Sequence, residues 1–148
     1  MEMDKETLID HLKKVLATAF SLYLKAHNYH WNVTGPNFGE YHKFFSDYYK
    51  AVHESIDLYA EHIRILGSFT PGSLKRFSEL TLISDEVGIP SPKFMFVRLA
   101  SDNLLFLNEL RSLAKLADEM NERGLLATLD AQIQFHEKMQ WMITAYTE

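Results

Sequence analysis

The six glycines and four prolines of this 148-residue chain are gathered into three short clusters and one isolated position. Gly35, Pro36 and Gly39 form the first cluster, Gly67, Pro71 and Gly72 the second, Gly88, Pro90 and Pro92 the third, and Gly124 stands alone. These two residue types are the main interrupters of helices, so the spacing leaves four long stretches in which a helix can run unbroken. Within residues 4 to 32, Leu8, Leu12, Val15, Leu16, Ala19, Leu22, Tyr23 and Ala26 recur at intervals of three and four, which puts them on one helical face. Residues 40 to 66 repeat the pattern through Tyr41, Phe44, Phe45, Tyr48, Val52, Ile56, Tyr59, Ile63 and Leu66. The third stretch starts with Ser91, a residue suited to capping, and Pro92, which fits a first helical turn where its missing N–H costs nothing. Its apolar spacing continues from Phe94 to Met120, and a fourth helix is predicted from about Leu125 to Tyr146. Ser73 to Leu80 is expected to form a two-turn helix inside the long connection between the second and third helices. No strand pattern competes. The expected fold is all-α: a four-helix bundle with a short extra helix in its long crossover.

The length suits one domain, residues 1–148, large enough to bury roughly two-thirds of its unfolded surface. The composition, 47% hydrophobic and 24% charged, is that of a soluble globular protein. The longest strongly apolar run, Val15 to Leu24, lies between Lys14 and Lys25 and is far shorter than the roughly 20 residues of a membrane span. The start MEMDKETL has no basic region followed by an apolar one, so no export signal is expected and a cytoplasmic location is. The chain has no cysteine, which excludes disulfides, thiolate nucleophiles and thiolate metal sites. Any metal must be bound through nitrogen and oxygen. A formal net charge of −5 argues against binding the phosphate backbone of nucleic acid.

Many functions share a four-helix bundle, so the chemistry has to be read from particular residues. The stretch HNYHWNVTGPNFGEYH, residues 27 to 42, holds three of the seven histidines. His30 falls near the end of the first helix and His42 near the start of the second, so the Thr34-Gly35-Pro36-Asn37 turn can bring the two imidazoles together. Asp57 and Glu61, four apart on the second helix, share a face. Two nitrogens and two carboxylates suit a divalent first-row metal with positions left open for an oxidant. His42 and Asp57, however, are separated by fifteen residues on one helix, about 22 Å at the helical rise. They cannot bind one metal within one chain. If the second helix pairs antiparallel with its own two-fold copy, with Tyr49 to Val52 near the axis, His42 of one chain meets Asp57 and Glu61 of the other. Two identical sites then straddle the interface, about 25 Å apart.

The run HWNVTGPNFGEYHKFF followed by IDLYAEHIRILG resembles the mini-ferritins of the Dps family, DNA-binding proteins from starved cells. The resemblance extends over essentially the whole chain, including FTPGSLKRFSELT and the closing HEKMQWM. It implies a ferroxidase site with His30 and His42 from one chain and Asp57 and Glu61 from its two-fold partner. Glu61 is then the expected bridge between two irons. It further implies a hollow dodecamer that oxidises Fe(II), preferably with hydrogen peroxide and otherwise with dioxygen, and stores the ferric product inside. Zn(II), which lies above Fe(II) in the affinity order, is expected to compete. Trp31 stands beside the ligands, as packing or as an interceptor of stray oxidising equivalents.

Three departures from the family pattern qualify these expectations. The position four after the second histidine is often acidic; here it is Ser46, followed by Asp47, and these two join Trp31 as candidates for the surroundings of the ligands. Of the aspartates that often line the three-fold pores, Asp118 matches the first, but Ala127 occupies the second, leaving Glu119 and Glu122 as substitutes. The lysine-rich N-terminal arm that some members use on DNA is absent, and MEMDKET carries three acids to one lysine. Twelve copies at −5 make a strongly anionic shell, so DNA binding is expected to be absent or weak.

His11, His27, His53, His62 and His136 are expected to be solvated or hydrogen-bonded without a chemical part, although His53 and His62 lie near the proposed interface. The stripe Phe44, Phe45, Tyr48 and Tyr49 reads as bundle core and dimer contact. Among rival functions, a conventional ferritin needs Glu-x-x-His motifs on two helices. No glutamate here has a histidine three residues later. A DNA-compacting protein would need the basic arm, and a purely structural bundle would assemble without oxidising iron.

Overall fold

The computed structural model describes residues 2–148; Met1 and the side chains of Glu2 and Met3, part of the acidic start, lie outside the described residues. Five helices follow one another: α1 (Glu2–Asn32), α2 (Phe38–Ile65), α3 (Leu74–Leu80), α4 (Pro92–Glu119) and α5 (Arg123–Ala145). The four long stretches between the glycine and proline clusters are the four long helices. α2 starts two residues before the predicted position, because Phe38 and Gly39 continue directly from the turn that the N–H of Phe38 closes onto the carbonyl of Gly35 at 3.1 Å.

Helix ends follow local chemistry. Ser91 Oγ accepts from the N–H of Phe94 at 3.5 Å, and Ser73 Oγ from that of Arg76 at 3.2 Å. α2 ends at Gly67, with φ +94°, where the N–H of Ser68 reaches back to the carbonyl of Ile63. α4 ends the same way on Asn121, φ 57°, with the N–H of Glu122 bonded to the carbonyl of Ala117. Both are left-handed caps that satisfy carbonyls otherwise left over at a helix end.

α1 packs mainly on α2 and α4 on α5; the two hairpins meet chiefly through α1 and α4, and α3 leans on α1. The core is the apolar stripe anticipated from the spacing: Leu12, Leu16, Leu22 and Tyr29 of α1, Phe45, Val52, Tyr59 and Ile63 of α2, Phe96, Phe106 and Leu110 of α4, Leu129 and Ile143 of α5. Each such side chain contributes about 1.5–3 kcal/mol on full burial. One polar group of contacts interrupts it. Asn103 Oδ1 accepts from Tyr48 Oη at 2.8 Å and from His136 Nδ1 at 2.6 Å, while its amide donates to the His136 carbonyl and to Gln140 Oε1.

The long crossover is strapped to the bundle by polar side chains. The N–H of Leu82 donates to Thr18 Oγ1, and Tyr29 and Arg98 both donate to Glu86 Oε1 at 2.7 Å. Burial alone would raise the Glu86 pKa, but these hydrogen bonds, one from the N–H of Gly88 and the Arg98 charge together hold it below the ordinary value. Lys25 pairs with Asp102 beneath the same strap. Among the described residues no helix is long and apolar enough to cross a membrane.

Candidate metal centre

The turn from Val33 to Asn37 reverses the chain so that the last turn of α1 lies against the first turn of α2. Gly35, with φ +109°, takes the backbone conformation that an L side chain resists. His30 and His42 are thereby stacked, with ring centroids 3.8 Å apart and planes inclined by 17°. Nδ1 of His30 lies 2.8 Å from the carbonyl oxygen of His42, and Nδ1 of His42 lies 2.7 Å from that of His30. A carbonyl can only accept, so each Nδ1 carries the proton and each Nε2 keeps its lone pair. Both imidazoles therefore present Nε2 as the free donor, the atom that an outer hydrogen bond at Nδ1 leaves available to a metal.

Asp57 and Glu61 are exposed on α2, on a face with the exposed apolar side chains of Leu58 (48%) and Ile65 (72%). Fifteen helical residues separate Asp57 from His42, about 22 Å. The fold therefore brings the four candidates together two by two, and not all four. Among the described residues no three His, Asp or Glu side chains converge closely enough to hold a metal.

Around the histidine pair lies a cluster of rings that sequence reading did not single out as a unit. His27 stacks on Tyr49, with centroids 3.9 Å apart and planes within 10°, and on Trp31 at 3.8 Å. Its Nδ1 is 3.2 Å from the hydroxyl of Tyr23, whose ring also touches His53 at 4.8 Å. Burial first, and then the neighbouring His30 and His53, lower the His27 pKa and favour its neutral form. Trp31 is 60% exposed, so it rests on His27 and is not core packing. The available signal was the four-residue interval between Tyr23 and His27 on α1; the register of Tyr49 on α2 requires the folded hairpin.

The remaining candidates are placed as follows. Ser46 is half-buried one turn beyond His42, and Asp47 is exposed and paired with Lys43 at 2.9 Å. Asp118 is exposed and lies 3.7 Å from Arg123; Glu119 is exposed beside it, and Ala127 is exposed on α5. Glu122, half-buried before α5, faces His62, whose pKa is lowered by burial against the opposing pull of that carboxylate. Of the other histidines, His11 bonds to Glu109 at 2.9 Å, and His136 is wholly buried in the bundle core. Burial pushes the His136 pKa down to about 3.

Residues 9–148 match the family model described as Ferritin-like domain, which defines the class of protein. The chain is 32% identical to a DNA protection during starvation protein of Brevibacillus brevis, over 93% of its own length and 92% of that protein's. It also superposes on the crystal structure of a Dps protein from Bacillus brevis with a TM-score of 0.94 at 30% identity, covering 99% and 98% of the two chains. A Dps protein from Vibrio cholerae O1, described as a member of a broad superfamily of ferritin-like diiron-carboxylate proteins, superposes with a TM-score of 0.94 at 25% identity, covering 99% and 92%. The chain belongs to the Dps family of mini-ferritins.

Proposed function

We propose that this protein protects the cell by oxidising Fe(II) with hydrogen peroxide at sites shared between two-fold-related chains, and stores the ferric product in a hollow dodecamer. The observation that carries this reading is the half-site: two imidazoles fixed as Nε2 donors, with the carboxylates Asp57 and Glu61 about 22 and 28 Å further along the helix that carries His42. His30 and His42 bind from one chain; Asp57 and Glu61 bind from its partner. Leu58 and Ile65, exposed beside those carboxylates, supply apolar surface for the second chain. Phe69, Leu74 and Val87 of the crossover, exposed by 82, 73 and 96%, do so for further subunits.

Two Fe(II) ions give one electron each to one peroxide, whose O–O bond breaks to give two hydroxide ions, so no hydroxyl radical is released. The hard Fe(III) product prefers carboxylate oxygen, which Asp57 and Glu61 would supply. Detoxification and storage are then one reaction, and a dioxygen-driven version is slower. With a net charge of −5 per chain, protection of DNA comes from removing iron and peroxide, not from gripping the duplex. Asp118, Glu119 and Glu122 are the acids offered to incoming iron near the α4–α5 turn.

The test is the rate of Fe(II) oxidation by peroxide in the native protein and in His42→Ala. The variant is expected to be slower by about two orders of magnitude. Equal rates would remove His42 from the site.

A further inference from the structure

Two polar side-chain atoms deep inside the bundle have no hydrogen-bond partner in the described structure: Nε2 of His136 and the hydroxyl oxygen of Tyr59. We propose that these two atoms hold one structural water between them, in the core of a single chain.

Neighbouring contacts fix what each atom needs. The Asn103 amide donates to the His136 carbonyl and to Gln140 Oε1, so Asn103 Oδ1 is the acceptor in its contact with His136 Nδ1. Nδ1 therefore carries the proton, and Nε2 is a lone pair in need of a donor. Burial lowers the His136 pKa to about 3, which keeps the ring neutral. Tyr59 has the opposite need. Burial pushes its pKa up, so it keeps an O–H that lacks an acceptor. The two groups do not bond to each other, and water, which both donates and accepts, joins them.

Both groups face one spot from antiparallel helices. Tyr146, which caps α5, packs on Tyr41 and Phe44 at the start of α2, and His136, further back along α5, packs on Tyr48, further along α2. Long side chains lean toward the N-terminus of their own helix. Tyr59 therefore leans back toward Ser55, while His136 leans toward Gln132, and each approaches the other. Phe106 touches both rings, at 6.3 and 4.8 Å between centroids. Ser55 adds a third contact. Its buried hydroxyl donates to the Val52 carbonyl at 2.6 Å and keeps lone pairs free, close enough to Tyr59 to oppose part of its pKa rise. A water here donates to His136 Nε2 and Ser55 Oγ and accepts from Tyr59, about three bonds in all, the usual number for a buried water.

The chemistry of the spot selects a neutral occupant. Among the described residues no Asp or Glu is fully buried, and the buried phenols stay protonated, so a cation would have no counter-charge. Solvent has a route to it. A groove of about 380 Å³ between α2 and α5 is lined by Ser55, Gln132 and Phe135 among others, and the Phe135 ring lies 4.9 Å from that of His136.

The test is a crystal structure of the native protein at a resolution that shows ordered water. One peak of oxygen strength, without anomalous signal, is expected within about 2.7–3.2 Å of both His136 Nε2 and Tyr59 Oη. No peak, a peak bonded to only one of the two, a direct bond between them, or an anomalous scatterer at the spot each overturns the proposal. Tyr59→Phe gives a second reading whose sign decides. If the hydroxyl holds the water, its loss removes a made bond and the denaturant midpoint falls; an unchanged or higher midpoint means there was no bond to lose, and the proposal fails.

Discussion

His30 and His42 donate their Nδ1 protons to each other's backbone carbonyls, at 2.8 and 2.7 Å, so that the turn between α1 and α2 fixes the tautomer of both rings at once. The expected consequence is coordination through Nε2 in both residues. Crystals soaked in Zn(II) should show the ion about 2.0–2.1 Å from each Nε2. A metal bound through either Nδ1 would mean that the reciprocal pair opens on binding.

Gly35 makes that pairing possible. At φ +109° an alanine is strained, so Gly35→Ala should cost about 1–2 kcal/mol in denaturant unfolding and slow iron oxidation by loosening the two rings. Gly39→Ala is the control: it lies in the first turn of α2 with no positive φ and open space around it, and should be neutral or slightly stabilising. Equal stability of Gly35→Ala and the native protein would show that the turn adapts at no cost.

Zinc should compete for the same donors. Since Zn(II) binds nitrogen and oxygen sites more tightly than Fe(II), about one equivalent per site should suppress peroxide-driven oxidation, and excess Fe(II) should restore it. Undiminished turnover with zinc in excess would count against the imidazole-carboxylate site.

How much of this was readable from the sequence differs by residue. The helices were, because the breakers cluster and because the stripes through Leu12, Leu16 and Leu22 or Phe45, Val52 and Tyr59 keep the helical period. The meeting of His30 and His42 was too, since a short turn joins their helices, and so was the separation of Asp57 from His42 along one helix. The direction in which each imidazole turns was not, because a hydrogen bond to a carbonyl across a turn leaves no trace in residue type. Nor was the burial of His136 anticipated. It occupies a core position in step with Leu129 and Ile143, seven residues to either side, but a histidine on an apolar stripe does not announce whether its partner, here Asn103 on another helix, is present.

That histidine gives the chain a specific acid weakness. His136 Nδ1 is bonded to Asn103, while its Nε2 is buried with no partner in the described structure, so protonation puts an unpaired charge in the core. Its pKa is about 3 when folded against 6.5 for the free side chain. Because the folded value is the lower one, the stabilisation is fully present above about pH 6.5 and is lost as pH falls from there toward 3, at up to about 1.4 kcal/mol per pH unit. Unfolding free energies measured from pH 7 to 4.5 should drop more steeply for the native protein than for His136→Leu. Parallel curves would show that other groups set the acid limit.

The central claim is that each site takes its histidines from one chain and its carboxylates from another. The direct measurement is peroxide-driven Fe(II) oxidation by His42→Ala, by Asp57→Ala, and by the two refolded together in equal amounts. Each variant alone has no complete site. In a mixed two-fold pair, one site carries both substitutions and the other carries neither, so random mixing should restore about a quarter of native activity. A mixture no faster than the separate variants would contradict the shared site.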